Sequence, residues 1–363
     1  TGRPGPAGGR LRPRCAGAGG RVLTRHPAAR RILSGMRSPV SPPRRAWLPA
    51  VTCGLLATLA VAGCGPHKTA SQTAATAPAT HAGPASTLAP PSPTPSPTAC
   101  NTTVAAGFPC AMREQIVAAK HYANHLPGTI GIVLHDRVTG ATWHNANAGA
   151  LQPAASTIKL AMMTDILQRQ RAGQFQLTPA DQSAMFGALY TSNDVDADHL
   201  WYKYENASFM DRVRAFGMNN TRFTNSAYWG NVDTTARDLD NLMNYVLDKA
   251  PPRIRHYLVY RLQHVSGLDQ QWGVWGAGPA NDPGNKDGWE QDPGPVGVWI
   301  TNTVGFAGPD QRYTLAITYN MGSFGEDGNA GFKFGTNKLT QIAAILFQGH
   351  HTGTPHPLAS AVP

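Results

Sequence analysis

The sequence predicts an α+β fold: an antiparallel sheet drawn from both ends of the folded segment, covered by N- and C-terminal helices, with an all-helical subdomain inserted in the middle. Three observations predict it. A β-hairpin pattern comes early, an unbroken block of helical patterns follows, and strand patterns with one last helix close the segment.

In chain order, residues 111–125 carry a helical pattern that stops before Pro127. "TIGIVLHD" (129–136) is rich in β-branched residues, "RVTG" is a turn, and "ATWHNA" is a second strand, so the three form a hairpin. Helical patterns then run over 156–171, 180–190, 205–217, 234–249 and 251–262. "QQWGVWG" (270–276), "VGVWITNTVGFA" (296–307) and "RYTLAITYNM" (312–321) read as strands, and "GFKFGTNKLTQIAAILFQG" (331–349) as a terminal helix. No internal repeat interrupts this order.

The folded domain is expected over residues 100–348, about 250 residues, enough for one large core. Ahead of it, residues 1–35 are Gly/Arg/Pro-rich and precede what reads as a complete export signal over 36–63, starting at Met36. Arg44 and Arg45 give that signal its positive start, and the apolar run Trp47 to Ala62 is short for a permanent membrane span. Residues 1–35 are therefore read as a non-native upstream extension. The signal ends in Val61-Ala62-Gly63-Cys64, which resembles a bacterial lipobox. That resemblance implies lipidation of Cys64 and a place on the extracytoplasmic face of the bacterial cell membrane. The alternative is an ordinary secretory signal followed by an unrelated cysteine. Residues 64–99 are a Pro/Thr/Ala/Ser-rich disordered tether, and 349–363 a disordered tail.

The net charge of +10 invites a nucleic-acid reading, but its distribution removes it. Residues 1–99 hold 11 arginines, one lysine and no acid, which leaves 19 basic against 21 acidic residues in the remainder. The expected domain is near neutral, so no nucleic-acid partner is expected. Of the five cysteines, Cys15 and Cys53 precede the cleavage site and Cys64 is the anchor. Cys100 and Cys110 remain in an exported domain, where a disulfide is expected. No metal-binding motif is present, and neither a metal nor another cofactor is expected.

Three short stretches carry candidate chemistry. In "AASTIKLAMM", Ser156 and Lys159 lie three residues apart at a helix start, so the amine shares a face with the hydroxyl. A serine there also has a backbone N–H and the helix dipole beside it. The other reading is a capped helix with an ordinary lysine. In "YTSNDVDADHLW", Ser192, Asn193 and Asp194 follow a predicted helix; they offer a proton-passing hydroxyl and a substrate contact, or a plain inter-helix turn. In "NKDGWEQDPGPVGVWITN", Lys286, Asp287, Gly288 and Trp289 precede an apolar strand. They offer a cation for a substrate carboxylate and a backbone N–H for an oxyanion hole, or a common K-D-G turn.

Taken in order, S-x-x-K, S-x-N and K-[TS]-G-like triplets resemble the motif set of class A β-lactamases and penicillin-binding proteins. The resemblance extends over nearly all of 110–348. It implies Ser156 as the acylated nucleophile, Lys159 as its base or proton relay, and Ser192 as the shuttle to the leaving nitrogen. Lys286 would steady Ser192 and the substrate carboxylate, with Asp194, Asp287, Gly288 and Trp289 also at the substrate and the N–H groups of Ser156 and Trp289 forming the oxyanion hole. The substrate would be a β-lactam or a cell-wall peptide, and the protein a monomer.

Departures set the expected activity. Asp194 stands where the family has Asn, and its charge would repel an anionic substrate. Asp287 stands where the family has a hydroxyl, and only 36 residues separate Ser156 from Ser192. The stretch "TRFTNSAYWGNVDTT" matches the Ω-loop region but lacks the glutamate that activates the deacylating water. Glu205 lies too early, and Asp233 reads as a helix N-cap beside Thr234 and Thr235. The expected outcome is slow β-lactam hydrolysis with a long-lived acyl adduct. The alternatives are a pseudoenzyme that binds cell-wall peptide or a protein partner, and a D-Ala-D-Ala carboxypeptidase-like enzyme.

Overall fold

The structure is a computed structural model; it describes residues 1–2, 100, 102–267, 269–291, 298–322 and 328–349. A first unit, Thr1–Leu88, is described only at its first two residues. The expected signal (36–63), lipidated Cys64, tether (64–99) and the tail beyond Gly349 lie outside the described residues, as does the upstream extension past residue 2.

All described elements belong to the unit Ala89–Pro363. They run α1 (Cys110–Asn124), β1 (Thr129–Asp136), β2 (Thr142–His144), β3 (Gln152–Pro153), α2 (Ile158–Arg171), α3 (Pro179–Tyr190), α4 (Asp194–Tyr204), α5 (Phe209–Val213), β4 (Arg222–Phe223), β5 (Val232–Thr234), α6 (Ala236–Asn244), α7 (Pro252–Gln263), β6 (Gly284–Gln291), β7 (Trp299–Ala307), β8 (Tyr313–Asn320) and α8 (Gly328–Phe347). Strands order as β2-β1-β8-β7-β6, every pair antiparallel. The chain's first and last strands thus meet in one sheet. A small second sheet, β3-β5-β4, was not anticipated.

The sheet separates two apolar cores, because successive strand side chains point to opposite faces. Ile132, Leu315 and Ile317 pack toward α1 and α8, with Ile116, Leu339 and Ile342. Val304, Phe306 and Ala316 face the helical block, with Ile158, Leu160 and Met162 of α2. Between them α2 is buried on every side from Ile158 to Ile166. Its polar groups must therefore be paired: Thr164 Oγ1 donates to Leu160 O at 2.7 Å, and Arg212 Nε donates to Asp165 at 2.7 Å.

Local chemistry explains the helix starts. Thr178 and Asp181 form a reciprocal capping box ahead of α3, with Pro179 at its first position. Asn193 caps α4 by accepting from Asp196 N at 3.0 Å, and Asp194 and Asp196 complement the dipole in the first turn.

Four readings need correction. The strand expected at 270–276 is instead a 3-10 turn (Gly273–Ala277), where Gly273 adopts φ +59°. The edge strand is Gly284–Gln291, the very stretch that reads as a turn. The helix expected at 205–217 shortens to Phe209–Val213 with a 3-10 turn after it, and α4 fills the region before it. The cap of α6 is Thr235, accepting from Asp238 N at 3.0 Å, rather than Asp233.

Candidate active site

Ser156 sits in a 3-10 turn, Ala155–Thr157, that leads directly into α2. Ala155 takes the left-handed φ of +46°, a strained conformation that the surroundings must hold in place. They do so from two sides. Ala154 N donates to Val232 O at 2.7 Å, and Asn302 Nδ2 of β7 donates to Pro153 O at 2.8 Å and Ala154 O at 3.2 Å. The edge strand β6 then packs on this turn at Gly288. A Cβ at that position would lie 2.8 Å from Ser156 N and 2.6 Å from Thr157 N, so only glycine permits the approach.

Lys159, one helical turn on, is fully buried. Its amine donates to Ser192 O at 2.6 Å, to Asp194 at 2.5 Å and to Ser192 Oγ at 3.3 Å. These contacts, and not one to Ser156, account for the three donors of an ammonium. Ser192 offers both its carbonyl and its hydroxyl to one amine because it has φ +63°. Burial lowers the Lys159 pKa, and the Asp194 charge opposes that shift.

Lys286 approaches the same hydroxyl from the sheet. Its amine, fully buried, donates to Ser192 Oγ at 2.9 Å, Gln270 Oε1 at 2.9 Å and Asp287 O at 2.6 Å. Burial, reinforced by the nearby Lys159 charge, holds its pKa well below the usual lysine range. Ser156, Lys159, Ser192, Asp194, Lys286 and Gly288 are thus brought together. Trp289 continues the edge strand past the turn that carries Ser156.

Asp287 is placed differently. Adjacent residues of a strand alternate faces, so its side chain leaves β6 opposite to Lys286. It is fully buried there, with Thr303 directly across the ladder. Burial drives its pKa well above the carboxylate range, against the opposing pull of the Thr303 hydrogen bond and the Lys286 charge. Cys100 and Cys110 are joined as a disulfide with Cα atoms 5.2 Å apart, at the start of α1.

Several solved structures share this fold. A β-lactamase from Xanthomonas campestris pv. campestris superposes with a TM-score of 0.54 at 16% identity, covering 66% of this chain and 98% of that chain. A β-lactamase from Burkholderia vietnamiensis gives 0.53 at 18% identity, covering 64% and 95%. PBP-A gives 0.53 at 16%, covering 64% and 94%. The fold is that of the class A β-lactamases. In sequence, the pattern of the β-lactamase enzyme family matches residues 112–182, the segment holding Ser156 and Lys159. The chain thus shares the fold of these enzymes, and its segment 112–182 is similar in sequence to the β-lactamase enzyme family. "Putative lipoprotein LppW" of Mycobacterium tuberculosis and of Mycobacterium bovis is 26% identical over 198 residues, 52% of this chain. The chain spans 62% of the length of that curated relative.

The segment between β4 and β5 places Trp229 over the Lys159 amine, 4.5 Å from amine to ring centre. Residues 224–231 carry no carboxylate. Trp229 Nε1 donates to Asp198 at 2.8 Å. Tyr228 Oη donates to the same oxygen at 2.6 Å. Asp233, in β5, faces Arg222 at 3.8 Å. Glu205 is sealed at the end of α4 against Arg212 and Arg169, a structural role. Sequence reasoning missed Asp198, Trp229 and Gln270. The first had a legible signal, since Asn193, Asp194, Asp196 and Asp198 together mark a helix start.

Proposed function

We propose that the protein is a serine acyl-transfer enzyme that forms an ester at Ser156 from a β-lactam or a cell-wall peptide amide and releases it slowly. The observation that carries this reading is the Ser192 hydroxyl held between two buried amines, Lys159 and Lys286, beside the helix that presents Ser156. Two ammonium ions around one hydroxyl in a buried site repel each other, which makes it easier for one amine to give up its proton. Lys286 is the better candidate. On losing its proton this amine would keep Gln270 Oε1 and Asp287 O as acceptors and could take the Ser192 O–H in place of donating to it. Lys159, paired with Asp194, keeps its charge. On this reading the proton of Ser156 leaves toward Ser192 and Lys286 and returns by the same route to the leaving nitrogen. The N–H groups of Ser156 and Trp289 hold the oxyanion.

Slow release follows from the cleft's other wall. An acyl-enzyme needs a water and a base, and the Trp229 ring over the Lys159 amine offers neither. A lipid anchor at Cys64 is part of the same proposal, supported by the lipobox-like sequence and by the name of the mycobacterial relative.

Intact-mass spectrometry after incubation with benzylpenicillin tests the reading. A stable adduct, absent from Ser156→Ala, is expected, and membrane-purified protein should carry a lipid mass on Cys64. Rapid product release without adduct would mean an efficient β-lactamase. One observation favours a second reading, a binding protein without turnover: Lys159 engages Asp194 instead of Ser156. No adduct and no product would support it.

A further inference from the structure

A carboxylate beside the scissile bond is held most firmly by a cation with a donor to spare. The cleft has two buried amines, and both are fully engaged. Lys286 is bound to Ser192, Gln270 and the Asp287 carbonyl, and Lys159 to Ser192 and Asp194. The sheet adds no charge beside them, because the residues directly across the ladder from 286–289 are Val304, Thr303, Asn302 and Thr301. Acids, in contrast, are close. Asp194 has one oxygen on Lys159 while its side chain is 71% exposed, so its charge reaches the cleft mouth. Asp196 and Asp198 also act on Lys159, and Asp269 on Lys286. Further along, a cavity of about 430 Å³ beyond Trp289 is lined by Asp233, which faces Arg222 at 3.8 Å, and by Glu290, Asn225, Asn231 and Gln291.

We propose that the Ser156 site is selective for acyl donors that carry no carboxylate next to the scissile bond, being neutral or cationic on that flank, such as an ester or an amidated peptide end. The inference rests on the acyl-enzyme reading above and fixes its substrate class. In the step concerned, Ser156 Oγ bonds to the acyl carbon while the carbon–nitrogen or carbon–oxygen bond to the leaving group breaks. The Ser156 proton passes through Ser192 to that leaving group, so no further reactant is needed. A carboxylate on the leaving group would meet Asp194 at the mouth with both amines already taken. A free peptide carboxyl terminus is disfavoured for the same reason.

The test uses one ring and one side chain in two charge states: benzylpenicillin and its methyl ester. Adduct formation on the full-length protein is followed by intact mass. The ester is expected to acylate Ser156 at least about tenfold faster, a barrier difference of about 1.4 kcal/mol. Raising salt from about 0.05 M to about 0.5 M should narrow the ratio, since exposed charge is screened. Asp194→Asn should narrow it as well, and the salt series stands on wild-type protein alone if that variant does not fold. Equal or faster labelling by the acid overturns the selectivity and leaves the acyl-enzyme reading intact. An ester preference unmoved by salt overturns its electrostatic origin. No adduct from either compound overturns both readings together.

Discussion

The two walls of the cleft are built to different standards. On the sheet side, β6 lies against the Ser156 turn at a glycine contact too close for any side chain, and a lysine, a glutamine and a serine hydroxyl interlock below it. On the other side, the segment between β4 and β5 presents an indole and a phenol tied down by Asp198. On the acyl-enzyme reading proposed above, the first wall would supply the nucleophile, the proton route and the backbone N–H groups. The second is equally well anchored, but its carboxylate, Asp198, is taken up by Tyr228 and Trp229. Rigidity alone therefore does not mark function; the chemistry of the anchored groups does.

Three changes would break or sharpen this contrast. The largest effect is expected at Gly288. Gly288→Val forces β6 away from Ser156 N, and acylation should fall about 100-fold or more, the cost typical of losing one oxyanion donor. Gly149→Ala is the control, since its nearest neighbour to an added Cβ is 3.8 Å away, and it should leave the adduct rate unchanged. Next comes Trp229→Glu, which puts a carboxylate where the indole covers Lys159. Loss of adduct over time should quicken about tenfold, the low end for a positioned base. An unchanged lifetime would mean that water itself is excluded. The smallest effect on maximal rate is expected from Asp194→Asn, read as a pH profile. Asp194 raises the pKa of both Lys159 and Lys286, so its removal lowers them. The neutral amine then appears at lower pH, and the acylation midpoint should move down by about 1–3 units, the usual size for one close opposite charge. A midpoint that stays or rises would contradict the assignment of an amine as base.

How far the sequence was legible follows the same division. β1, β7 and β8 are apolar central or near-central strands, and their composition announced them. β6 did not, because "GNKDGWEQ" consists largely of turn-formers; it is a strand through its pairing with β7 from Gly284–Phe306 to Gln291–Trp299. The aromatic and β-branched residues Trp272, Val274 and Trp275 resembled a strand, yet Gly273 turns left-handed and its N–H reaches Thr340 Oγ1 at 2.9 Å. α4 was hidden because a start dense in aspartate scores poorly as helix interior while being favourable at a capped N-terminus. The motif residues Ser156, Lys159, Ser192 and Lys286 were named from the sequence, and the structure groups them. The sealing of Asp287 and the pairing of Lys159 with Asp194 were not legible, since both depend on which face of an element is covered.

The left-handed turn at Ser192 has one more consequence. It gives Lys159 a backbone oxygen at 2.6 Å, closer than the hydroxyl at 3.3 Å. The amine's firmest uncharged anchor is thus indifferent to the side chain at 192. On the proposed proton route, exchanging this serine for a residue without a hydroxyl would remove the relay while leaving the lysine its carbonyl anchor, so that a single hydroxyl would separate a catalyst from a receptor.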